Sequence, residues 1–163
     1  MVSLFPPSLV EYQVKDTIYR FLICDAPNDS NLRNYIDIWK QHNVSHVVRV
    51  CDPTYAKLLV EDEGIQVTDF AFSDGENPSP KIISQWLRLV STYQSQTTIA
   101  IHCVAGLGRA PLLVCIALME LHQLDPLEAI RLVRTKRPGS LNVNQLKYLR
   151  EYNHVRKNNC CIV

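Results

Sequence analysis

The amino-acid sequence predicts an α/β fold in which a central, mostly parallel sheet carries helices on both faces. Two observations indicate this fold. Apolar, strand-like segments alternate with helical segments up to residue 102, and the chain beyond that point is helical. Alternation of strand and helix is typical of a parallel or mixed sheet. No internal repeat or low-complexity linker interrupts the pattern.

Four segments are predicted strands, because each is apolar and rich in β-branched or aromatic residues. They cover residues 17–24, 46–51, 65–72 and 98–102. The ligand site of such a sheet lies at the carboxyl ends of its strands. Cys103 directly follows the last predicted strand, so it is expected at that edge of the sheet.

Helices are predicted from capping residues, prolines and apolar spacing. The cluster of Asn28, Asp29 and Ser30 is expected to cap the first helix, which runs to about Gln41. The later helices are expected to begin at Ser79-Pro80, near Arg109, at Asp125-Pro126 and at about Val143, and the last is expected to reach Lys157.

The composition is that of one globular domain. The chain has 163 residues, of which 47% are hydrophobic, and its formal net charge is +1. A chain of this length buries enough surface to fold without disulfides or a structural metal. The balanced charge and the lack of a basic stripe predict no nucleic-acid partner. We expect a single domain over residues 1–157, followed by a C-terminal tail over residues 158–163.

The six cysteines show no repeated CxxC spacing and no cysteine and histidine cluster, which predicts no metal site. The N-terminal sequence has no charged segment followed by an apolar one, and no run of about 18 apolar residues occurs. We therefore expect a protein of the cytosol with reduced thiols.

The segment TIAIHCVAGLGRAPLLVCIALMELH, residues 98–122, joins a strand, a glycine-containing turn and a helix. The backbone N–H groups of such a turn bind anions, together with the positive end of the helix dipole. Arg109 adds a planar set of donors that suits two oxygens of a phosphate. The same positive field favours the thiolate of Cys103, which makes this cysteine a candidate nucleophile. The predicted phosphate-binding backbone is that of Val104, Ala105, Gly106, Leu107 and Gly108.

The segment HCVAGLGRAP, residues 102–111, resembles the HC-x5-R loop of cysteine-dependent protein tyrosine phosphatases. Together with the C-terminal CCIV, it is similar to the prenylated PRL (phosphatase of regenerating liver) family of the dual-specificity-like branch. VVRVC, EGI and the Asp74-Gly75 loop keep the order of that family along essentially the whole chain. The resemblance implies a phosphatase core of the dual-specificity type that hydrolyses phosphomonoesters on proteins and needs no cofactor. Phosphoinositides are the alternative substrate class.

The resemblance also implies the roles of single residues. Cys103 would form a phosphocysteine, while Arg109 and the loop amides would hold the phosphate oxygens. Asp74 would protonate the leaving oxygen, and Asp69 is the alternative acid.

Two residues beside this motif have implied supporting roles. His102 is expected to orient the loop by hydrogen bonding. Ala110 stands where most phosphatases of the superfamily carry a hydroxyl that assists release of the phosphocysteine. We therefore expect slow turnover and an accumulating phosphoenzyme.

Two further cysteines gain roles from the resemblance. Cys51 aligns with a family cysteine that forms a reversible disulfide with the nucleophile Cys103. Cys160 begins a C-a-a-X box and is the expected prenylation site. A single prenyl chain with few basic residues before it predicts reversible attachment to the cytoplasmic face of the plasma or endosomal membranes.

A second function class stays open, since PRL proteins also bind CNNM (cyclin M) magnesium-transport mediators through the catalytic cleft. The protein could then be a docking module, and self-association is a further expectation from its relatives. A rhodanese-like sulfurtransferase also carries a cysteine in an anion-binding loop. Arg109, Asp74 and the C-terminal box make that alternative distant.

Overall fold

A computed structural model of the chain describes residues 6–93 and 97–152. A five-stranded sheet forms the centre, with the strand order β1-β2-β5-β3-β4. The strands are β1 (Ser8–Val14), β2 (Thr17–Cys24), β3 (Val44–Arg49), β4 (Gln66–Asp69) and β5 (Thr98–His102). β1 pairs with β2 in the antiparallel sense, and the other neighbouring strands are parallel. The predicted mostly parallel sheet is thereby confirmed.

Helices cover both faces of this sheet, as predicted. They are α1 (Leu32–Gln41), α2 (Leu58–Glu61), α3 (Pro80–Thr92), α4 (Arg109–His122), α5 (Pro126–Lys136) and α6 (Val143–Arg150). Buried residues of α1 and α2 form one apolar cluster with the sheet, and those of α3 to α6 form another. Successive residues of β2 alternate between the two clusters, because neighbouring side chains of a strand point to opposite faces. Residues 109–120 of α4 are all buried, so α4 is the central helix of its layer.

The carboxyl edge of the sheet differs from the prediction. β2 and β5 have the predicted bounds, but β3 covers residues 44–49 rather than 46–51, and β4 covers 66–69 rather than 65–72. The N–H of Val50 still bonds to the carbonyl of His102, and that of Phe70 to the carbonyl of Arg49. Both strands therefore end where the chain turns away into the loops that surround Cys103.

The predicted helix ends also need correction. The Asn28 side chain accepts hydrogen bonds from Ser30 in a turn instead of capping α1, which begins at Leu32 after Asn31. α6 ends at Arg150 rather than Lys157. The chain leaves the helix there, and the Tyr152 hydroxyl donates a hydrogen bond to Glu120 of α4.

The sequence patterns did not predict β1 or the one-turn helix α2. β1 joins β2 through Lys15 and Asp16, and Lys15 adopts a positive φ of 52°. Two-residue hairpin turns of this kind favour Asn-Gly or Asp-Gly, so the sequence carries no strong hairpin signal here. None of the helices in the described residues is long and apolar enough to span a membrane.

Candidate active site

Cys103 lies at the carboxyl end of β5, the middle strand of the sheet, and Arg109 is the first residue of α4. The loop between them forms the floor of a cleft with a volume of about 320 Å³. The cleft is lined by Asp74, Cys103, Val104, Ala105, Leu107, Gly108, Arg109, Gly139, Asn142 and Gln145. The structure thus brings the predicted nucleophile, arginine and acid into one cavity.

The carbonyl groups of the loop are bonded by groups outside it. The N–H of Ala26 donates to the Val104 carbonyl at 2.9 Å, and that of Leu141 donates to the Leu107 carbonyl at 2.8 Å. Two guanidinium nitrogens of Arg137 donate to the carbonyls of Ala105 and Gly106. The N–H of Leu112 donates to the Gly108 carbonyl, within the first turn of α4. Every carbonyl from residue 104 to residue 108 therefore has a partner.

Gly106 permits the turn of this loop. Its φ is +66°, and a Cβ built at this position would lie 2.3 Å from the carbonyl oxygen of Cys24. No larger residue fits there without moving the backbone of β2 or of the loop. Gly108 has an ordinary φ of −120°, and its Cβ would meet only the side-chain end of Gln145 at 3.1 Å. Gly106 is thus the more constrained of the two glycines.

The Arg109 guanidinium is held by hydrogen bonds from its Nη1, whereas its Nε has no hydrogen-bond acceptor within the described residues. Its Nη1 donates to the carbonyl of Phe72 at 3.0 Å and to that of Val50 at 3.5 Å. Its Nε lies 3.5 Å from Oδ1 of Asp74, but Nε donates no hydrogen bond within the described residues. A bound phosphate would find an oriented donor here.

Asp74 lies above the cleft on an exposed turn. Its side chain is 82% exposed, and its Oδ1 accepts a hydrogen bond from the N–H of Gly75. Gly75 has a φ of +80°, and the turn closes with a bond from the N–H of Glu76 to the carbonyl of Ser73. The ion pair with Arg109 is screened by water and contributes little to stability. The carboxyl group is thus free to approach a substrate in the cleft.

Asp69, the alternative acid, is engaged elsewhere. Its two carboxylate oxygens accept hydrogen bonds from Nε and Nη2 of Arg49, at 2.6 and 2.9 Å. These hydrogen bonds from Arg49 hold the pKa of Asp69 below its usual range. A carboxyl group that stays ionised cannot donate a proton, and Asp69 does not line the cleft. The geometry therefore favours Asp74 as the acid.

His102 belongs to a buried network behind the loop. Its Nε2 lies 2.8 Å from the Tyr55 hydroxyl, and Nη1 of Arg49 donates to the Tyr55 carbonyl at 2.7 Å. The Arg49 guanidinium also lies over the Tyr55 ring, 5.0 Å from its centroid. Burial lowers the pKa of His102 to about 4, so the imidazole is neutral at physiological pH. It supports the start of the loop without carrying a charge.

Cys51 lies close to Cys103, the predicted nucleophile. It follows β3 by two residues, and β3 is the direct neighbour of β5. Burial, and in second place the charge of Cys103, raise the pKa of Cys51. All four cysteines of the described part of the chain are free thiols, so a bond from Cys51 to Cys103 under oxidation stays a prediction. Cys24 and Cys115 are buried in the apolar core.

The sequence reasoning missed three residues of the cleft that lie outside the loop, namely Gly139, Asn142 and Gln145. Asn142 and Gln145 form a reciprocal capping box at the start of α6. The spacing N-x-x-Q is a recognised sequence signal for such a box and could have indicated it. Gln145 is 2% exposed, and its Nε2 has no partner within the described residues. Cys160 lies outside the described residues.

The fold and the site together define a class, the cysteine-dependent phosphatases of the dual-specificity type. A thiol at a strand end, a loop with its carbonyls bonded from outside and an arginine at a helix start are what phosphate transfer to sulfur needs. Residues 29–155 match the family described as dual specificity phosphatase, catalytic domain.

Comparison with individual proteins identifies the family within this class. The chain is 47% identical over 161 residues to a Dictyostelium discoideum protein named "Probable protein tyrosine phosphatase type IVA A". The aligned region covers 97% of this chain and 94% of the relative. It is 38% identical over 176 residues to human protein tyrosine phosphatase type IVA 3, with 100% of both chains covered. A solved protein tyrosine phosphatase of Leishmania major has a TM-score of 0.83 and 38% identity, over 92% of this chain and 100% of that one. The chain belongs to the protein tyrosine phosphatase type IVA (PRL) family.

A pair of glycine substitutions tests the conformation of the loop. Gly106→Ala should destabilise the protein by about 3 kcal/mol or more, because it adds backbone strain and a clash with β2. Gly108→Ala should cost less than about 1 kcal/mol, since only a flexible side-chain end must move. Urea unfolding of both variants measures the difference. Equal losses of stability would contradict this account of the loop.

The two buried histidines predict how stability depends on pH. Burial lowers the pKa of both His46 and His102 from 6.5 to about 4. Between pH 6.5 and 4 the unfolded chain therefore binds more protons than the folded one. Stability is fully present above pH 6.5 and is lost as the pH falls toward 4, by about 3 kcal/mol for the deeply buried His102 and by less for His46, whose charge is partly screened by water.

Melting temperatures across this pH range check the expectation. His102→Gln keeps a group that can bond to Tyr55 and should flatten the acid limb of the curve. His42→Gln, which replaces a partly exposed histidine, is the matched control. An acid limb that is unchanged in His102→Gln would contradict the assignment.

Proposed function

We propose that the protein hydrolyses phosphomonoesters on phosphoproteins, above all phosphotyrosine, in two steps at Cys103. One observation carries the proposal. The loop carbonyls are all bonded from outside, while Cys103 and the Nε of Arg109 share the cleft without being bonded to each other. The site is therefore arranged for a ligand with several negative oxygens.

In the first step the Cys103 thiolate attacks the phosphorus atom, and the ester P–O bond breaks as the S–P bond forms. The loop N–H groups and Arg109 bind the three non-bridging oxygens. Asp74 donates its proton to the leaving oxygen. Because Arg109 now pairs with the phosphate, its attraction for the Asp74 carboxylate is reduced.

In the second step a water molecule attacks the phosphocysteine. Asp74 takes a proton from this water, the S–P bond breaks, and the Cys103 thiolate and inorganic phosphate are released. No metal is needed, since the N–H groups and Arg109 supply the positive charge.

The two candidate acids can be separated by the leaving group. Asp74→Asn should lower kcat/KM, which reports the first step, by about 10²-fold or more for a phosphotyrosine peptide, whose leaving oxygen needs a proton. It should affect an ester with an acidic phenol much less. Asp69→Asn, which keeps a bond to Arg49, should leave the ratio of the two rates unchanged. A changed ratio in Asp69→Asn, with none in Asp74→Asn, would reverse the assignment. Cys103→Ser should abolish hydrolysis of both esters.

We also propose that the second step limits turnover. Ala110 is fully buried in the first turn of α4, directly after Arg109. Its methyl group offers no hydroxyl to assist the departure of the Cys103 sulfur from phosphorus. The phosphocysteine should accumulate for this reason.

Rapid-mixing kinetics test this proposal. The protein should release one equivalent of phenol in a burst and then turn over slowly, and Ala110→Ser should raise the slow rate several-fold. Ala117→Ser is the matched control, because it adds the same hydroxyl to a buried alanine later in α4. A slow rate that Ala110→Ser does not change would contradict the proposal.

A second candidate function is docking of CNNM-type magnesium-transport mediators in the cleft. The open cleft supports it, since Val104 on the phosphate loop is 62% exposed and offers apolar surface to a partner. Slow turnover would suit a cleft that is occupied by a protein. The two functions are compatible, because both use the same cavity.

We propose that this docking occurs at a membrane, with a prenyl group on Cys160 as the anchor. Cys160→Ser should move the protein to the soluble fraction of a cell lysate without changing its hydrolytic rate. Cys103→Ser should lose hydrolysis but still bind a CNNM partner. A Cys160→Ser protein that stays on membranes would contradict the anchor, and loss of CNNM binding in Cys103→Ser would contradict docking independent of catalysis.

A further inference from the structure

Arg137 is a buried arginine next to the phosphate loop. It follows α5 and is only 2% exposed. Its Nε donates to the Gly106 carbonyl at 2.6 Å, and its Nη2 donates to the Ala105 carbonyl at 3.1 Å. These are the two carbonyls at the middle of the loop, directly behind the cleft.

The other side of the same guanidinium holds the N-terminal part of the chain. Nη1 donates to the carbonyl of Pro6 at 3.0 Å and lies 3.2 Å from the Ser8 hydroxyl and 3.5 Å from the Ile23 carbonyl. One side chain thus joins the start of β1, the end of β2 and the phosphate loop.

We propose that Arg137 is a positioning residue for catalysis, which directs the N–H groups of Gly106 and Leu107 into the cleft and ties the N-terminal strand to the phosphate loop. The reason lies in the planar trans peptide, where the carbonyl and the following N–H point in opposite directions. Arg137 holds the carbonyls of residues 105 and 106 on the outside. The N–H groups of residues 106 and 107 then face the substrate phosphate.

The charge of Arg137 acts in the same direction. Burial lowers the pKa of its guanidinium, and the charges of Cys24, Asp25 and Cys103 partly offset this effect. Arginine nevertheless stays protonated in proteins. The Cys103 thiolate and the phosphate therefore have one cation on the cleft side, Arg109, and a second behind the loop.

The inference rests on the proposed phosphate chemistry, but its test needs no turnover. Arg137→Lys keeps the positive charge but loses the planar set of donors. Arg137→Gln loses the charge, and its shorter side chain no longer reaches the loop carbonyls. Arg20, on β2, pairs with Glu11 of β1 at 2.9 Å, away from the loop. Arg20→Lys and Arg20→Gln are therefore matched controls for weakening the same edge of the sheet.

Two measurements on folded protein separate the direction of the loop N–H groups from the electrostatic effect of Arg137 on Cys103. Orthovanadate affinity should fall about 10²-fold in both Arg137 variants, because the loop donors no longer converge on the oxyanion. The pH at which iodoacetamide alkylates Cys103 at half its maximal rate should rise more in Arg137→Gln than in Arg137→Lys. Neither quantity should change in the Arg20 variants.

Arg137 variants that bind orthovanadate and alkylate like the Arg20 controls would overturn the inference. If they fail to fold, Ser8→Ala decides, since it removes a single bond to Arg137. This variant should weaken orthovanadate binding in the same direction by a smaller factor, and unchanged binding would overturn the inference. Wild-type protein that binds orthovanadate but does not hydrolyse a phosphotyrosine peptide would instead overturn the proposed function alone.

Discussion

A loop can present its N–H groups to a phosphate only if its carbonyl groups find donors on the opposite side. Buried carbonyls without partners are costly, and in a planar peptide the carbonyl direction sets the N–H direction. The five carbonyls from residue 104 to residue 108 are served by donors from widely separated parts of the chain. The turn after β2, the end of α5, the segment before α6 and the first turn of α4 each supply at least one of these donors.

The beginning of the loop is held by a second set of contacts on the other face of the sheet. Asp69, Arg49, Tyr55 and His102 form a continuous chain of hydrogen bonds and ring contacts from the end of β4 to the residue before Cys103. Because Arg49 is 3% exposed, its pairing with Asp69 also prevents an uncompensated buried charge. Asp69 therefore has a structural role that competes with proton donation, whereas the exposed Asp74 bonds to Gly75 of its own turn and pairs with Arg109 through a contact that water screens.

The sequence predicted those parts of the fold and of the site whose residues are neighbours in the chain. The strand, turn and helix of residues 98–122 lie next to one another in the chain, so the spacing of Cys103, Gly106 and Arg109 was enough to predict the site. β2 and β5 were predicted with their observed bounds because both are rich in β-branched, aromatic and other apolar residues, and Arg20 is the one charged residue in either strand. β1 was not predicted because its turn has no glycine. α6 was predicted to reach Lys157, but it ends at Arg150, and Tyr152 beyond it bonds to Glu120 of α4.

Other parts of the site depend on contacts that no local pattern contains. Arg137 follows two basic residues at the end of α5 and has the sequence context of a solvated side chain, yet it is one of the largest fully buried residues. The preference for Asp74 over Asp69 likewise rests on the pairing of β3 with β4, which places Arg49 beside Asp69.

The bond from Arg137 to Pro6 spans 131 residues and has a consequence for biosynthesis. Synthesis runs from the N-terminus, so Pro6 is made before Cys103, whereas Arg137 is made 34 residues after Cys103. In a nascent chain that already contains Cys103, the two middle carbonyls of the loop still lack their donor. Contacts between residues so far apart in the chain form slowly, because the entropy cost of closing the loop comes before the stabilising contact. The loop conformation therefore depends on a residue made after Cys103, and a chain that ends before Arg137 contains the Cys103 thiol without the donors that fix its loop.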